Sequence, residues 1–242
     1  MNIPDIESIR GKMKKCNRIR QLTNMSLCLV IVLLGITSII YKVRYEGGFF
    51  TCFREMTVCA TFLTTLSSAV FILLNLYQVH SGSEISSEGL FFFRLSNVVA
   101  AAVVPIVTLI GFLPFFSDHP VILRYDMFNM HLLIPLMTIA GFIFNDSAIG
   151  HVLPRKLFRG LIVLLVYAAV MFTLIMTNVI PENKIPYSFL NVRNQPVWFP
   201  VLAFFLILGI GYLLSWAFYR LNLKMSWLWY RRVAVTSAKV KK

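Results

Sequence analysis

Thr57 and His131 have the types and surroundings for covalent acyl chemistry. Thr57 opens one long apolar stretch, and His131 stands a few residues into another. A hydroxyl becomes a nucleophile when a base within hydrogen-bond reach takes its proton. Histidine, with a reference pKa near neutrality, can take that proton as base and return it as acid. An ionisable side chain inside an apolar run is costly, which makes His131 a functional candidate; a hydrogen-bonded packing histidine is the competing reading. A Thr–His pair in such surroundings suits cleavage or transfer of an acyl chain that arrives from lipid. Arg54 lies one helical turn before Thr57 and is a candidate to bind a carboxylate or headgroup, or else to anchor the chain at an interface. Asn129 is a candidate donor to a developing oxyanion. Thr51 is the alternative nucleophile if the register is shifted.

Long helices must position these residues. Of the 242 residues, 58% are hydrophobic, far above a soluble domain. Apolar runs fall at 24–43, 56–79, 91–116, 126–145, 159–180 and 197–219. One helix needs about 20 apolar residues to cross the hydrocarbon. Lipid leaves backbone groups no outside partner, so helices rather than open strands carry these runs. The predicted fold is all-α, a polytopic bundle of six transmembrane helices. The loops between the runs are short, so the six-helix transmembrane domain occupies 23–222 without an inserted soluble domain. A basic amphipathic segment, 1–22, precedes it, and a basic tail, 223–242, follows. Ile6, Ile9, Met13, Cys16 and Ile19 recur at helical spacing between basic residues, the pattern of a helix lying on the inner leaflet.

The formal charge of +13 is a topology signal. Sixteen of the 23 Lys and Arg residues are those of the two terminal segments together with Arg220, Arg155, Lys156 and Arg159. This is the positive-inside bias, and it predicts both termini in the cytoplasm. The partners it implies are the lipid bilayer and its anionic headgroups, not nucleic acid. A lipid or fatty-acyl molecule is the expected substrate.

Other candidates carry less. The spacing of Cys16, Cys28, Cys52 and Cys59 fits neither a zinc site nor a disulfide framework. Asp118, His119 and Asp126 share an outer loop without a convincing metal pattern, and Asp118-His119-Pro120 suits a turn. His80 and His151 fall on the inner side, away from His131. There is no glycine-rich phosphate loop, and no cofactor is implied. Thr57, Thr61, Thr64, Thr65 and Ser68 give one helix a hydroxylated face, read as a packing surface. Arg94 is placed to snorkel to the headgroups. The loop 181–196, with Pro181, Pro186 and Pro196, is placed to cap the outer mouth of the bundle.

The helices bearing Thr57 and His131 both enter from the outer face. At about 1.5 Å rise per residue, the two side chains differ in depth by less than about 10 Å. Their azimuths, and whether the helices are neighbours, stay open at this level. Three segments near these residues resemble the androgen-induced-gene family of six-helix membrane proteins and its bacterial relatives. They are FREMTV at 53–58, NMHLLIP at 129–135 and IPYSFLN at 185–191. The resemblance covers roughly 50–215 and implies hydrolysis of fatty-acid esters by an intramembrane Thr and His. It points to Thr57 as nucleophile and His131 as base. Ala60 stands where the family usually has Asn, and Glu55 where it tends to have an aromatic residue. The expected function is thus a membrane lipid-ester hydrolase or acyl-transfer enzyme. A permease or channel lined by the hydroxylated faces, and a scaffold without a site, are the alternatives.

Overall fold

The structure is a computed structural model, and it describes residues 6–82, 85, 87–112, 124–146, 154–187, 191–192 and 195–239. Of these, it describes the backbone alone at 6–16, 49, 109–112, 230 and 232–239. Among the described residues the chain is helical and contains no strand. The helices are α1 (Ile6–Glu46), α2 (Phe49–Cys52), α3 (Met56–Ser81), α4 (Glu88–Phe112), α5 (Tyr125–Phe128), α6 (Ile134–Asn145), α7 (Ile162–Met176) and α8 (Trp198–Lys239). A π turn, Asn129–Leu133, joins α5 to α6, and a 3-10 segment, Pro154–Leu161, leads into α7.

Among the described residues, six helical segments are long and apolar enough to cross a membrane: Asn17–Glu46, Met56–Ser81, Glu88–Thr108, Tyr125–Asn145, Pro154–Met176 and Trp198–Trp229. Each matches an apolar run of the sequence. The first and last helices run well past those runs. α1 passes unbroken through the basic segment, which therefore continues the first span instead of forming a separate surface helix. No proline interrupts 6–46, so no backbone donor is lost and nothing ends the ladder. α8 likewise continues into the basic tail, where the Arg220 and Arg231 guanidinium groups lie over the rings of Trp216 and Trp227 one turn back.

α4 is the centre of the bundle. Of the apolar stretch of 18 residues in its span, 72% is buried inside the protein, against 17% for that of α8. Small and β-branched residues, Val98 to Val104, make this possible by letting neighbouring helices approach from several sides. α1 packs closely on α3, where Gly35 lies so near Thr65 that an added Cβ would strike its hydroxyl oxygen. The hydroxylated face of α3 is turned inward: Thr57, Thr61, Thr64, Thr65 and Ser68 are all buried.

Arg94 does not snorkel. It is 1% exposed, and its Nε donates to Asp146 Oδ2 at 3.1 Å. Its guanidinium also lies 4.9 Å over the Phe71 ring. Asp146 closes the C-terminal end of α6, where carbonyls lack intrahelical partners. Other helices supply the missing donors. Arg20 of α1 donates to the Asn145 carbonyl, and Asn222 of α8 donates to the carbonyls of Phe142 and Asp146. Asn24 Nδ2 adds a bond to Asp146 Oδ1. A buried cation is tolerated only when it is paired in this way. Asp146→Ala strands the Arg94 charge and should cost about 3–5 kcal/mol, whereas Arg94→Met combined with Asp146→Leu should recover most of that loss. Thermal unfolding in detergent micelles measures both.

Candidate active site

Thr57 is the second residue of α3 and is 5% exposed. The chain reaches it through α2 and a tight turn in which Glu55 N–H donates to the Cys52 carbonyl. The first amides of a helix have no intrahelical acceptor. Here the Met56 N–H donates to the Tyr187 hydroxyl at 3.2 Å. The same phenol oxygen lies beside the amide and hydroxyl of Thr57.

His131 stands in the π turn. Pro135 explains that turn: it has no N–H to offer the His131 carbonyl, so the ordinary ladder fails there. The pairing slips by one residue, and the Ile134 N–H donates to the Asn129 carbonyl instead. Such single π turns often occur at functional sites. The ring is then fixed at both nitrogens. Nδ1 lies 2.9 Å from the Met127 carbonyl, and Nε2 lies 3.2 Å from Thr57 Oγ1. A carbonyl only accepts, so Nδ1 carries the proton of the neutral ring and Nε2 presents its lone pair to the Thr57 hydroxyl. This is the nucleophile–base–orienter arrangement that hydroxyl catalysis needs.

The pair faces a cavity of about 230 Å³. Lys42, Glu55, Thr57, His131, Tyr167 and Tyr187 form its polar end. Val103, Val104, Val107, Leu164, Phe204 and Leu208 are among its apolar walls. Lys42 of α1 is ion-paired with Glu46 and lies 3.0 Å from Glu55. It is 4% exposed and stands between the two carboxylates. Burial raises the Glu55 carboxyl above its ordinary range, and the Lys42 ammonium opposes that shift. Burial, reinforced by the Glu55 charge, pushes the Tyr187 hydroxyl up to about 12. It therefore stays protonated at neutral pH and remains a donor.

The other sequence candidates stand outside this cavity. Arg54 donates from Nε to the Thr51 carbonyl at 3.0 Å and from Nη1 to the Lys184 carbonyl at 3.2 Å. It ties the turn before α3 to the 3-10 turn Glu182–Lys184, and its own carbonyl accepts from Tyr167 Oη at 2.7 Å. Asn129 is 3% exposed and donates to Ser38 Oγ of α1 at 3.2 Å, away from the cavity. Thr51 on α2 does not line the cavity. Burial holds the Cys52 thiol at about 11, and it donates to the Gly48 carbonyl. Asp126 is buried and paired with Arg124, while Asp118, His119 and His151 lie outside the described residues. His80 is exposed at the far end of α3.

Sequence reasoning missed Lys42, Glu55, Tyr167 and Tyr187 as parts of the site. Tyr187 carried a signal, since it lies in IPYSFLN and in the loop placed over the outer mouth; Pro186 and Tyr187 do line the cavity. No protein-family model, no curated protein and no solved structure matches this chain.

The Tyr187 environment can be checked without an activity assay. An acid whose pKa is raised on folding stabilises the fold below its unfolded value and loses that contribution as pH climbs through the folded one. Ultraviolet difference titration of wild type against Tyr187→Phe should show the Tyr187 phenolate only near pH 12, about two units above a free tyrosine.

Proposed function

We propose that this integral membrane protein is a lipid-ester hydrolase or acyl-transfer enzyme with Thr57 as nucleophile and His131 as base. The observation that carries the reading is the 3.2 Å approach of Thr57 Oγ1 to His131 Nε2, at the polar end of a cavity whose remaining wall is apolar except for Thr108, whose hydroxyl is turned to the Val104 carbonyl. Two further facts support it. The opposite ring nitrogen is held by a carbonyl, which sets the reactive tautomer. The nucleophile also lies in the first turn of a helix, where the dipole favours developing negative charge.

In this mechanism an ester lies with its carbonyl carbon against Thr57 Oγ1 and its chain against the apolar wall. Oγ1 attacks, and its proton passes to His131 Nε2. The oxyanion that forms lies close to Tyr187 Oη, which donates to it. Collapse breaks the bond to the leaving alcohol, whose oxygen takes the proton from His131 Nε2. Acyl-Thr57 remains. Water, or an acceptor alcohol in a transfer reaction, then attacks it while giving its proton to Nε2. Thr57 recovers that proton as the free acid or new ester departs. The resemblance of FREMTV, NMHLLIP and IPYSFLN to the androgen-induced-gene family accords with this assignment. With both termini cytoplasmic, as the basic residues imply, the site opens towards the outer leaflet and the basic ends meet anionic headgroups.

The test is covalent labelling of the detergent-solubilised protein by a lipid-like fluorophosphonate. Wild type should label, and Thr57→Ala and His131→Ala should not; labelling that persists in both overturns the assignment. In ester hydrolysis, Tyr187→Phe should lower kcat by about 10²–10³-fold, the usual loss on removing one oxyanion donor. Tyr187→Phe at full kcat would remove Tyr187 from the mechanism.

A further inference from the structure

The apolar end of the cavity has a defined depth. Its deepest lining residues are Val103 on α4, Leu164 on α7 and Leu208 on α8. At about 1.5 Å per residue, Leu164 lies roughly 18 Å from Met176 at the end of α7, and Leu208 roughly 15 Å from Trp198 at the start of α8. That is about half of a ~30 Å hydrocarbon layer. One turn further along the same helices the space closes. A Cβ at Gly211 would stand 2.8 Å from both Leu161 Cδ2 and Leu164 Cδ1, and 3.7 Å from Val99 Cγ1. α8 can approach this closely only because Gly211 has no side chain. Leu161, Leu164, Val99 and the Gly211 backbone thus form a packed floor.

The walls between this floor and Tyr167 are hydrocarbon, so what they accept is hydrocarbon. The volume, about 230 Å³, is below the ~300 Å³ at which sites for drug-sized ligands begin. It suits one chain and not a two-chain lipid. We propose that this cavity is an acyl-length ruler: a single straight chain, with its carboxyl end at Thr57, descends between α4, α7 and α8 and stops on the floor at Gly211. The ester at the upper end rests on the Thr57–His131 reading. The chain pocket itself does not.

Leu208 is the wall residue one turn above the floor, and its size should set the limit. The experiment uses wild type, Leu208→Trp and Leu208→Ala, each confirmed as folded by its melting transition in detergent. Two series are run on each. The first is hydrolysis of p-nitrophenyl esters from acetate to palmitate, with Thr57→Ala as control. The second is displacement of a fluorescent long-chain fatty acid by free fatty acids of increasing length. The ruler requires a length optimum in wild type, a shift to shorter chains in Leu208→Trp and to longer chains in Leu208→Ala. The ratio of long-ester to acetate turnover should fall about 10-fold or more in Leu208→Trp, as expected when added bulk meets a filled apolar site. Thr57-dependent hydrolysis with a profile that neither variant moves overturns the ruler and leaves the catalytic reading standing. A fatty-acid length limit that moves with Leu208, without Thr57-dependent hydrolysis, supports the ruler and overturns the catalytic reading. The absence of both overturns both.

Discussion

Hydrocarbon offers a backbone amide or carbonyl no partner, and the architecture of this chain follows from that constraint. Unbroken helices satisfy it, which is why α1 and α8 run on wherever no proline intervenes. Where the ladder does fail, another element has to supply the partner. The C-terminal end of α6 borrows donors from Arg20 and Asn222. The N-terminal end of α3 borrows the Tyr187 oxygen. The break at Pro135 is absorbed by a π turn. Two of these three repairs surround Thr57 and His131. The candidate site is thus built where the backbone is irregular and partners are drawn in from neighbouring elements.

Two buried charge systems, Arg94 with Asp146 and Lys42 with its glutamates, sit at opposite ends of the bundle and behave differently. Arg94 and Asp146 bind α1, α4, α6 and α8 at one end, with the carboxylate also held by Asn24. That system is filled by the protein itself. At the other end, Lys42 stands between Glu46 and Glu55 beside a cavity that protein atoms do not fill. The Lys42–Glu55 pair crosses from α1 to the turn before α3. The same pair holds Glu55, the residue before α3, against α1, and so fixes where the first turn of α3 begins.

Much of this was legible in the sequence, and the limits are physical. Apolar run length gave the six spans because hydrocarbon thickness is a one-dimensional constraint. Thr57 and His131 were legible by type and depth, since both are costly or reactive where they stand. Azimuth was not legible. His131, Thr138 and Asn145 are spaced to share one face of a regular helix, but the π turn intervenes after His131 and re-aims it. Thr138 is fully buried and bonded to the Ile134 carbonyl, while His131 turns to Thr57. Arg54 and Asn129 failed for a related reason. Both have the right chemistry at the right depth, yet each finds a nearer backbone or hydroxyl partner on a neighbouring element. Lys42 and Glu55 meet only through the packing of α1 on α3, which no local pattern encodes.

The close contact at Gly35 divides α1 unequally. At about 1.5 Å per residue, roughly 44 Å of helix lies between Ile6 and Gly35, and roughly 10 Å between Gly35 and Lys42. Both arms are fastened: Arg20 and Asn24 tie the long one to the end of α6, and Lys42 ties the short one to Glu55. α1 is therefore a strut pinned on either side of its closest contact, and the position of Lys42 beside Glu55 is set by packing at several heights of the bundle.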